Sequence, residues 1–199
     1  MQASNIDTCQ DLQNIQANLT GNYILTNNLN CSNDGKFSPI GNETHQFRGT
    51  LDGNSKTISN VEIDTSNSFN YTGLFAVAMN ATVKNITFID ISTINITQTQ
   101  YYLGLVFGAV FFSNISNIHL KVSNVNNKNI LSGNATNGVG SVIGLIKSSF
   151  VENITVENTI VNFPNGSYVG GLFGLSLSEL EDQASTIKNC HNLGIIFHI

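Results

Sequence analysis

The sequence predicts an all-β chain wound as a right-handed parallel β-helix, a solenoid of about four to six coils behind an N-terminal cap. Three observations predict it. Two motifs recur together every 30 to 36 residues, apolar and polar residues alternate in short runs, and Gly or Asn stands at most breaks between runs.

The first motif is carried by Tyr71-Thr72-Gly73-Leu74-Phe75-Ala76, Leu103-Gly104-Leu105-Val106-Phe107-Gly108, Val139-Gly140-Ser141-Val142-Ile143-Gly144 and Val169-Gly170-Gly171-Leu172-Phe173-Gly174. Aligned on their final small residue, they put Ala76, Gly108, Gly144 and Gly174 in register, at steps of 32, 36 and 30. A small residue kept at that place permits close approach between the backbones of neighbouring layers.

The second motif follows each copy: Val83-Lys84-Asn85-Ile86, Ile115-Ser116-Asn117-Ile118, Val151-Glu152-Asn153-Ile154 and Ile187-Lys188-Asn189-Cys190. Thr57-Ile58-Ser59-Asn60-Val61 reads as an earlier copy, so Asn60, Asn85, Asn117, Asn153 and Asn189 are expected to superpose at one corner. Val83, Ile86, Ile115, Ile118, Val151, Ile154 and Ile187 are the expected buried ladder, with Cys190 as a small apolar substitute.

Such a unit cannot bury its apolar side alone, and stacking parallel strands about 4.8 Å apart closes a continuous core. Propeller blades need longer units with about four strands each and a bulky aromatic pattern, and this chain has no Trp.

At 199 residues the chain suits one domain. Residues 1–30 read as the cap and leading segment, with a short helical turn over Cys9 to Gln16, and 31–199 as coils. The distance from the small residue to the ladder Asn grows by six in the last copy. That places a surface insertion near 176–183, where Glu179, Glu181 and Asp182 gather and read as a solvated loop. The chain stops soon after Ile196 without a polar cap, as a piece of a longer protein would. Residues 1–15 show no basic start and apolar run of a signal peptide, which leaves a removed leader open.

Charged residues make up 11% of the chain, so polarity comes from 30 Asn, 19 Ser and 17 Thr. With net charge −5 and Arg48 the sole arginine, no nucleic-acid partner is expected. The longest apolar run, Tyr101 to Phe112, is too short for a membrane-spanning helix. Eleven Asn-x-Ser/Thr triplets, at Asn18, Asn30, Asn42, Asn70, Asn80, Asn85, Asn95, Asn114, Asn134, Asn153 and Asn165, are glycan acceptors if the chain is exported. Their number is roughly twice what chance placement gives, although repeats that copy one triplet contribute to it. In an oxidising compartment, a disulfide between Cys9 and Cys31 would staple the leading segment.

The Gly104-Leu105-Val106-Phe107-Gly108 and Gly171-Leu172-Phe173-Gly174 segments, with the upstream run Phe47 to Val61, resemble the Gly-Leu-Phe/Val-Gly repeat domains known as GLUG-motif proteins. Tyr23 to Leu29, Pro39-Ile40-Gly41 and Asn189-Cys190-His191-Asn192-Leu193-Gly194 extend the likeness over about residues 11 to 196. The resemblance implies a right-handed parallel β-helix within a secreted or surface protein, adhesin-like or attached to an immunoglobulin-cleaving protease, and no catalytic residues in the repeats. Ala76, Ser55 and Ser141 stand where that pattern has Gly.

Two function classes follow. The first is a non-enzymatic structural or adhesive module of an extracellular protein, with a carbohydrate or protein ligand or self-association at the solenoid ends. The alternative is a carbohydrate-active enzyme, a polysaccharide lyase or glycoside hydrolase, which needs an acid pair, or a base beside a cation. Asp52 and Arg48, with Glu62 or Asp64, are the best local set, yet Asp52-Gly53-Asn54 is also an ordinary turn. His45, His119, His191 and His198 lack ligand spacing, and no catalytic, cofactor or metal set is assigned. A groove that joins two acids to aromatic side chains would favour the enzyme, and dispersed acids would favour the module.

Overall fold

The structure, a computed structural model, describes residues 2–66, 70–94, 100–123, 130–132, 135–162, 167–178 and 183–197. The leading segment holds strand β1 (Ser4–Ile6), helix α1 (Cys9–Asn14) with a 3-10 turn (Ile15–Ala17), and strands β2 (Asn22–Leu25), β3 (Leu29–Asn30) and β4 (Lys36–Phe37). Successive coils then carry β5 (Thr50–Ser59), β6 (Glu62–Asp64), β7 (Tyr71–Thr72), β8 (Phe75–Met79), β9 (Thr82–Ile89), β10 (Ser92–Ile94), β11 (Gln100–Gly104) and β12 (Phe107–Phe111). Beyond them come β13 (Asn114–Lys121), β14 (Ile130–Ser132), β15 (Ala135–Gly140), β16 (Ile143–Lys147), β17 (Phe150–Asn162), β18 (Tyr168–Gly170), β19 (Phe173–Leu177), β20 (Thr186–Lys188) and β21 (His191–Phe197).

Every described pairing between these strands is parallel and joins one coil to the next. The long sheet runs β1-β2-β5-β9-β13-β17 and continues into β20 and β21, and a short sheet stacks β4, β6 and β10. A third sheet stacks β7, β11, β15 and β18, and a fourth stacks β8, β12, β16 and β19. The result is a parallel β-solenoid of about four turns, as the repeats predict.

In the fourth sheet Phe75, Phe107, Ile143 and Phe173 lie in register, which brings Ala76, Gly108, Gly144 and Gly174 into one column. Glycine is required there because the corner between the third and fourth sheets interlocks consecutive coils. A Cβ on Gly144 would stand 2.5 Å from the Leu103 nitrogen and 2.7 Å from the Gly108 carbonyl oxygen, both backbone atoms of the coil below. Ala76 fits because β7 is the first strand of the third sheet, so no strand of that sheet lies one coil beneath it.

The interior is filled by the expected ladder. Val83, Ile86, Ile115, Ile118, Val151 and Ile154 are at most 2% exposed, and Phe75 stacks on Phe107 with ring centroids 5.5 Å apart. Ile187 departs from expectation at 41% exposure: it pairs above Val151, and no described strand lies above it. Cys190 is likewise only half-buried against the core.

Asn60 also departs from expectation. Ile58 pairs with Phe88 and Ser59 with Ile89, three and four residues beyond the Asn85 corner, so Asn60 occupies a second corner above Asn30. Both corners demand the left-handed backbone, with φ of 57° at Asn60 and 59° at Asn85. Asn adopts it more readily than any other non-glycine residue, so the two corners look alike in sequence.

At the N-terminal end α1 starts on a capping box, in which Thr8 and Asp11 exchange side-chain and backbone hydrogen bonds. Leu12 and Ile15, both fully buried, close the first coil. Cys9 and Cys31 form a disulfide that ties this cap to the second corner. Removing it by the double change Cys9→Ser, Cys31→Ser is expected to cost roughly 3 kcal/mol in urea titrations, since the bridge closes a loop of about 23 residues. For the corner, Gly144→Ala is expected to cost about 3 kcal/mol or more in the same titrations, against a change within about 1 kcal/mol for Ala76→Gly.

Candidate functional site

Repeat asparagines form the most regular polar feature. The Asn153 Nδ2 donates to Asn117 Oδ1 at 2.9 Å, Asn117 Nδ2 to Asn85 Oδ1 at 2.8 Å, and Asn85 Nδ2 to Asp52 Oδ1 at 3.0 Å. Asp52 is thus the bottom rung, reached because Gly53 to Ser55 bulge out of β5 opposite Asn85. It also accepts the Asn54 N–H at 2.8 Å and pairs with Lys84 at 3.3 Å. Partial burial pushes its carboxyl up, but the bonds from Asn54, Asn85 and Lys84 together outweigh this and hold it below the ordinary value.

A second ladder, unforeseen in the sequence, runs along the turn that leads from the fourth sheet into the long sheet. Ser113 Oγ accepts the Ala81 N–H at 3.0 Å, Ser149 Oγ accepts that of Ser113 at 3.1 Å, and Ser185 Oγ accepts that of Ser149 at 3.2 Å. Each step satisfies a backbone donor that the turn leaves without a strand partner. The only signal in the sequence is a single Ser repeated 36 residues apart.

The set considered for catalysis is not assembled. Arg48 donates to Gln46 Oε1 and to the Met79 sulfur, Asp52 is committed to the ladder, and Glu62 and Asp64 line different depressions. His119 stands 3.3 Å from Glu157 across consecutive coils, and His45 touches Thr44 Oγ1. Among the described residues one cluster has metal-ligand character, Cys9, Cys31 and Asp34, and both of its sulfurs are spent in the disulfide. Burial raises the Cys190 thiol above its ordinary value, and Sγ donates to the Lys188 carbonyl at 3.1 Å, which does not favour a nucleophile. The acids Glu179, Glu181 and Asp182 lie outside the described residues.

The sequon asparagines separate into classes. Asn18, Asn30, Asn42, Asn80 and Asn114 are exposed and lie off the Asn85–Asn153 ladder, whereas Asn153 is exposed within it. At Asn18 and Asn42 the side-chain carbonyl accepts from the hydroxyl and backbone N–H of the triplet Thr, which leaves the amide nitrogen out of these bonds. Asn85 and Asn153 spend their amides in the ladder, and half-buried Asn70 donates to Glu43 at 2.7 Å. Asn95, Asn134 and Asn165 lie outside the described residues.

An open cavity of about 370 Å³ lies where the third sheet has no strand beneath β7. Glu43 and Asp64 bring two carboxylates to its lining, Gln16, Asn42 and Asn70 three amides, and Tyr71 an aromatic ring. Tyr71 stacks nearly parallel on Tyr102, with centroids 5.4 Å apart and planes 11° apart. Burial, the Glu43 charge and Tyr102 hold its hydroxyl above the ordinary phenol value, so it remains a hydrogen-bond donor at neutral pH.

No protein-family model matches the chain. Its sequence is 32% identical over 152 residues to halomucin from Haloquadratum walsbyi (strain DSM 16790 / HBSQ001). That alignment takes in 71% of this chain and 2% of halomucin, so the chain spans a small fraction of the relative it matches. Its fold also resembles the crystal structure of a candidate immunoglobulin A1 protease from Bacteroides ovatus, with a TM-score of 0.53 at 13% identity. The match covers 98% of this chain and 77% of that one, and at such identity it is a likeness of fold alone.

Asp52→Asn separates the ladder role of this residue from a chemical one. The amide still accepts from Asn85 and Asn54 and loses only the pairing with Lys84, so at neutral pH the expected cost is below about 1 kcal/mol. A carboxyl held low in the folded state stabilises above its unfolded value near 3.8 and ceases to do so as pH falls through the folded value. Urea titrations across that range should therefore show the advantage of the natural protein over the variant shrinking as pH drops below 3.8.

Proposed function

We propose that this chain is a non-enzymatic structural or adhesive module of an extracellular protein, presenting a polar surface that carries glycans at its exposed sequons. The observation that carries the reading is where the repeated polar groups go. Asn85, Asn117, Asn153, Ser113 and Ser149 bond from coil to coil, and Asp52, on which local catalysis would depend, is the ladder's bottom rung. What the sequence repeats therefore serves the length and stiffness of the solenoid. The disulfide supports an oxidising compartment. The match to a short stretch of halomucin and the resemblance to GLUG-motif surface proteins point the same way.

A carbohydrate-active enzyme is the second reading, and one observation favours it: Glu43 and Asp64 share a cavity with Tyr71. Glycoside hydrolysis needs two such carboxylates held about 5 to 9.5 Å apart across the scissile bond. Among the described residues, the lining includes no Lys, Arg or His to steady the enolate of a lyase reaction.

Two measurements decide between these readings. Intact-mass analysis of protein from its native source is expected to show hexose-containing additions, and peptide mapping should place them at Asn18, Asn30, Asn42, Asn80 or Asn114 in preference to Asn85 and Asn153. Incubation with neutral polysaccharides should release no new reducing ends. Release that disappears in Glu43→Gln or Asp64→Asn would replace the module with the enzyme.

A further inference from the structure

We propose that the cavity beside Tyr71 is a binding site for an uncharged saccharide ring. The reading deepens the adhesive half of the proposed function and is independent of the structural half.

The cavity and the exceptional Ala76 have one cause. Higher in the solenoid, each strand of the fourth sheet has a strand of the third sheet crossing close beneath its glycine: Gly108 meets Thr72, Gly144 meets Leu103 and Gly174 meets Val139. Beneath Ala76 that strand is missing, and the vacated space is bounded by Ala76, Gly41 and Tyr71. Its volume of about 370 Å³ falls in the range of small-molecule sites, near the lower end.

The lining sets the ligand's chemistry. Tyr71 packs one ring face on Tyr102 and makes a T-shaped contact with Phe111, centroids 6.1 Å apart; neither of those rings lines the cavity, so Tyr71 meets it with the surface they leave. A ring held on one side by another ring is a rigid platform whose apolar body and donor hydroxyl suit the C–H face and hydroxyl groups of a pyranose. Around it stand carboxylates and amides, groups that bind hydroxyls through directed hydrogen bonds. The Asn70 amide, 2.7 Å from Glu43 Oε2, orients that acceptor before any ligand arrives.

Charge excludes the acidic alternatives. Among the described residues the lining carries Glu43 and Asp64 and no basic side chain, so a uronate, sulfated or sialylated sugar would bring an anion to unopposed carboxylates. A neutral hexose or N-acetylhexosamine meets no such penalty. The sugar has two sources: a separate glycan, or this chain's own glycan on Asn70, which borders the cavity.

The test uses the whole chain made in a host that adds no N-glycans, titrated calorimetrically with neutral gluco-, galacto- and N-acetylglucosamine oligosaccharides and with a galacturonate oligomer. Saturable binding of at least one neutral sugar is expected, weakened about tenfold or more by Tyr71→Ala. Tyr168→Ala, an exposed ring of the same sheet outside the cavity, should leave it unchanged. Thermal melts verify that both variants fold. Protein from a glycosylating host distinguishes the sources. Thr72, the buried hydroxyl of the Asn70 triplet, has no hydrogen-bond partner among the described residues, so Thr72→Val removes the acceptor site without loss of a described bond. Binding lost in the glycosylated protein and restored by Thr72→Val assigns the cavity to the chain's own Asn70 sugar, whereas binding retained in the glycosylated protein assigns it to a separate glycan. No saturation by any neutral sugar, equal affinity for galacturonate, or unaltered affinity in Tyr71→Ala overturns the site. None of these three results touches the glycosylation and reducing-end measurements that test the module itself.

Discussion

Parallel stacking in register is the constraint on which the rest of this structure depends. When each strand lies about 4.8 Å above its predecessor, every side chain sits on its counterpart one coil below. An apolar residue then packs on an apolar residue, and a polar one must bond along the axis or face water. The column from Asp52 through Asn85 and Asn117 to Asn153 meets that demand outside the core, and Ser113, Ser149 and Ser185 meet it at the inner turn.

The same constraint accounts for the low charge. Like charges stacked at this spacing repel, whereas an amide offers a donor and an acceptor and can bond to its own kind indefinitely. Asp is tolerated at the bottom of the column because it only accepts, and Lys84 neutralises it from the neighbouring position. Abundant Asn is thus a mechanical feature of the coils as well as a source of sequons. The two uses compete at Asn85 and Asn153, where a glycan would have to grow from an amide nitrogen already committed to the coil below.

Where the regular stack is broken, the surface acquires shape. The third sheet begins only after the long sheet has laid down β1, β2 and β5, and the lack of a strand beneath β7 creates both the place where Ala replaces Gly and the cavity with acids, amides and a backed aromatic ring. A solenoid presents nearly the same surface at each coil, so a recess of this kind arises at an irregularity. The fold it shares with the Bacteroides ovatus structure supplies the frame, and the recess joins Tyr71 and Ala76 of the first repeat copy to residues that precede the repeats, such as Asn42 and Glu43.

The sequence by itself determined the solenoid, its repeat lengths, most of its buried ladder and the cysteine pair, because these follow from short-range periodicity that repeats enough times to be recognised. It placed Asn60 in the wrong column, since an Asn before a β-branched residue is the same local answer to two corners that each need positive φ. It gave Ile187 to the interior, because burial there requires a coil above and not merely an apolar letter. Tertiary structure alone decided that Asp52 belongs to the ladder, that Ser113 and Ser149 bond through the stack, and that Glu43, Asp64 and Tyr71 share a recess. Residues 43 and 71 meet because the winding brings chain segments about one coil apart in sequence to the same height, and chain geometry of that kind leaves no mark in local composition.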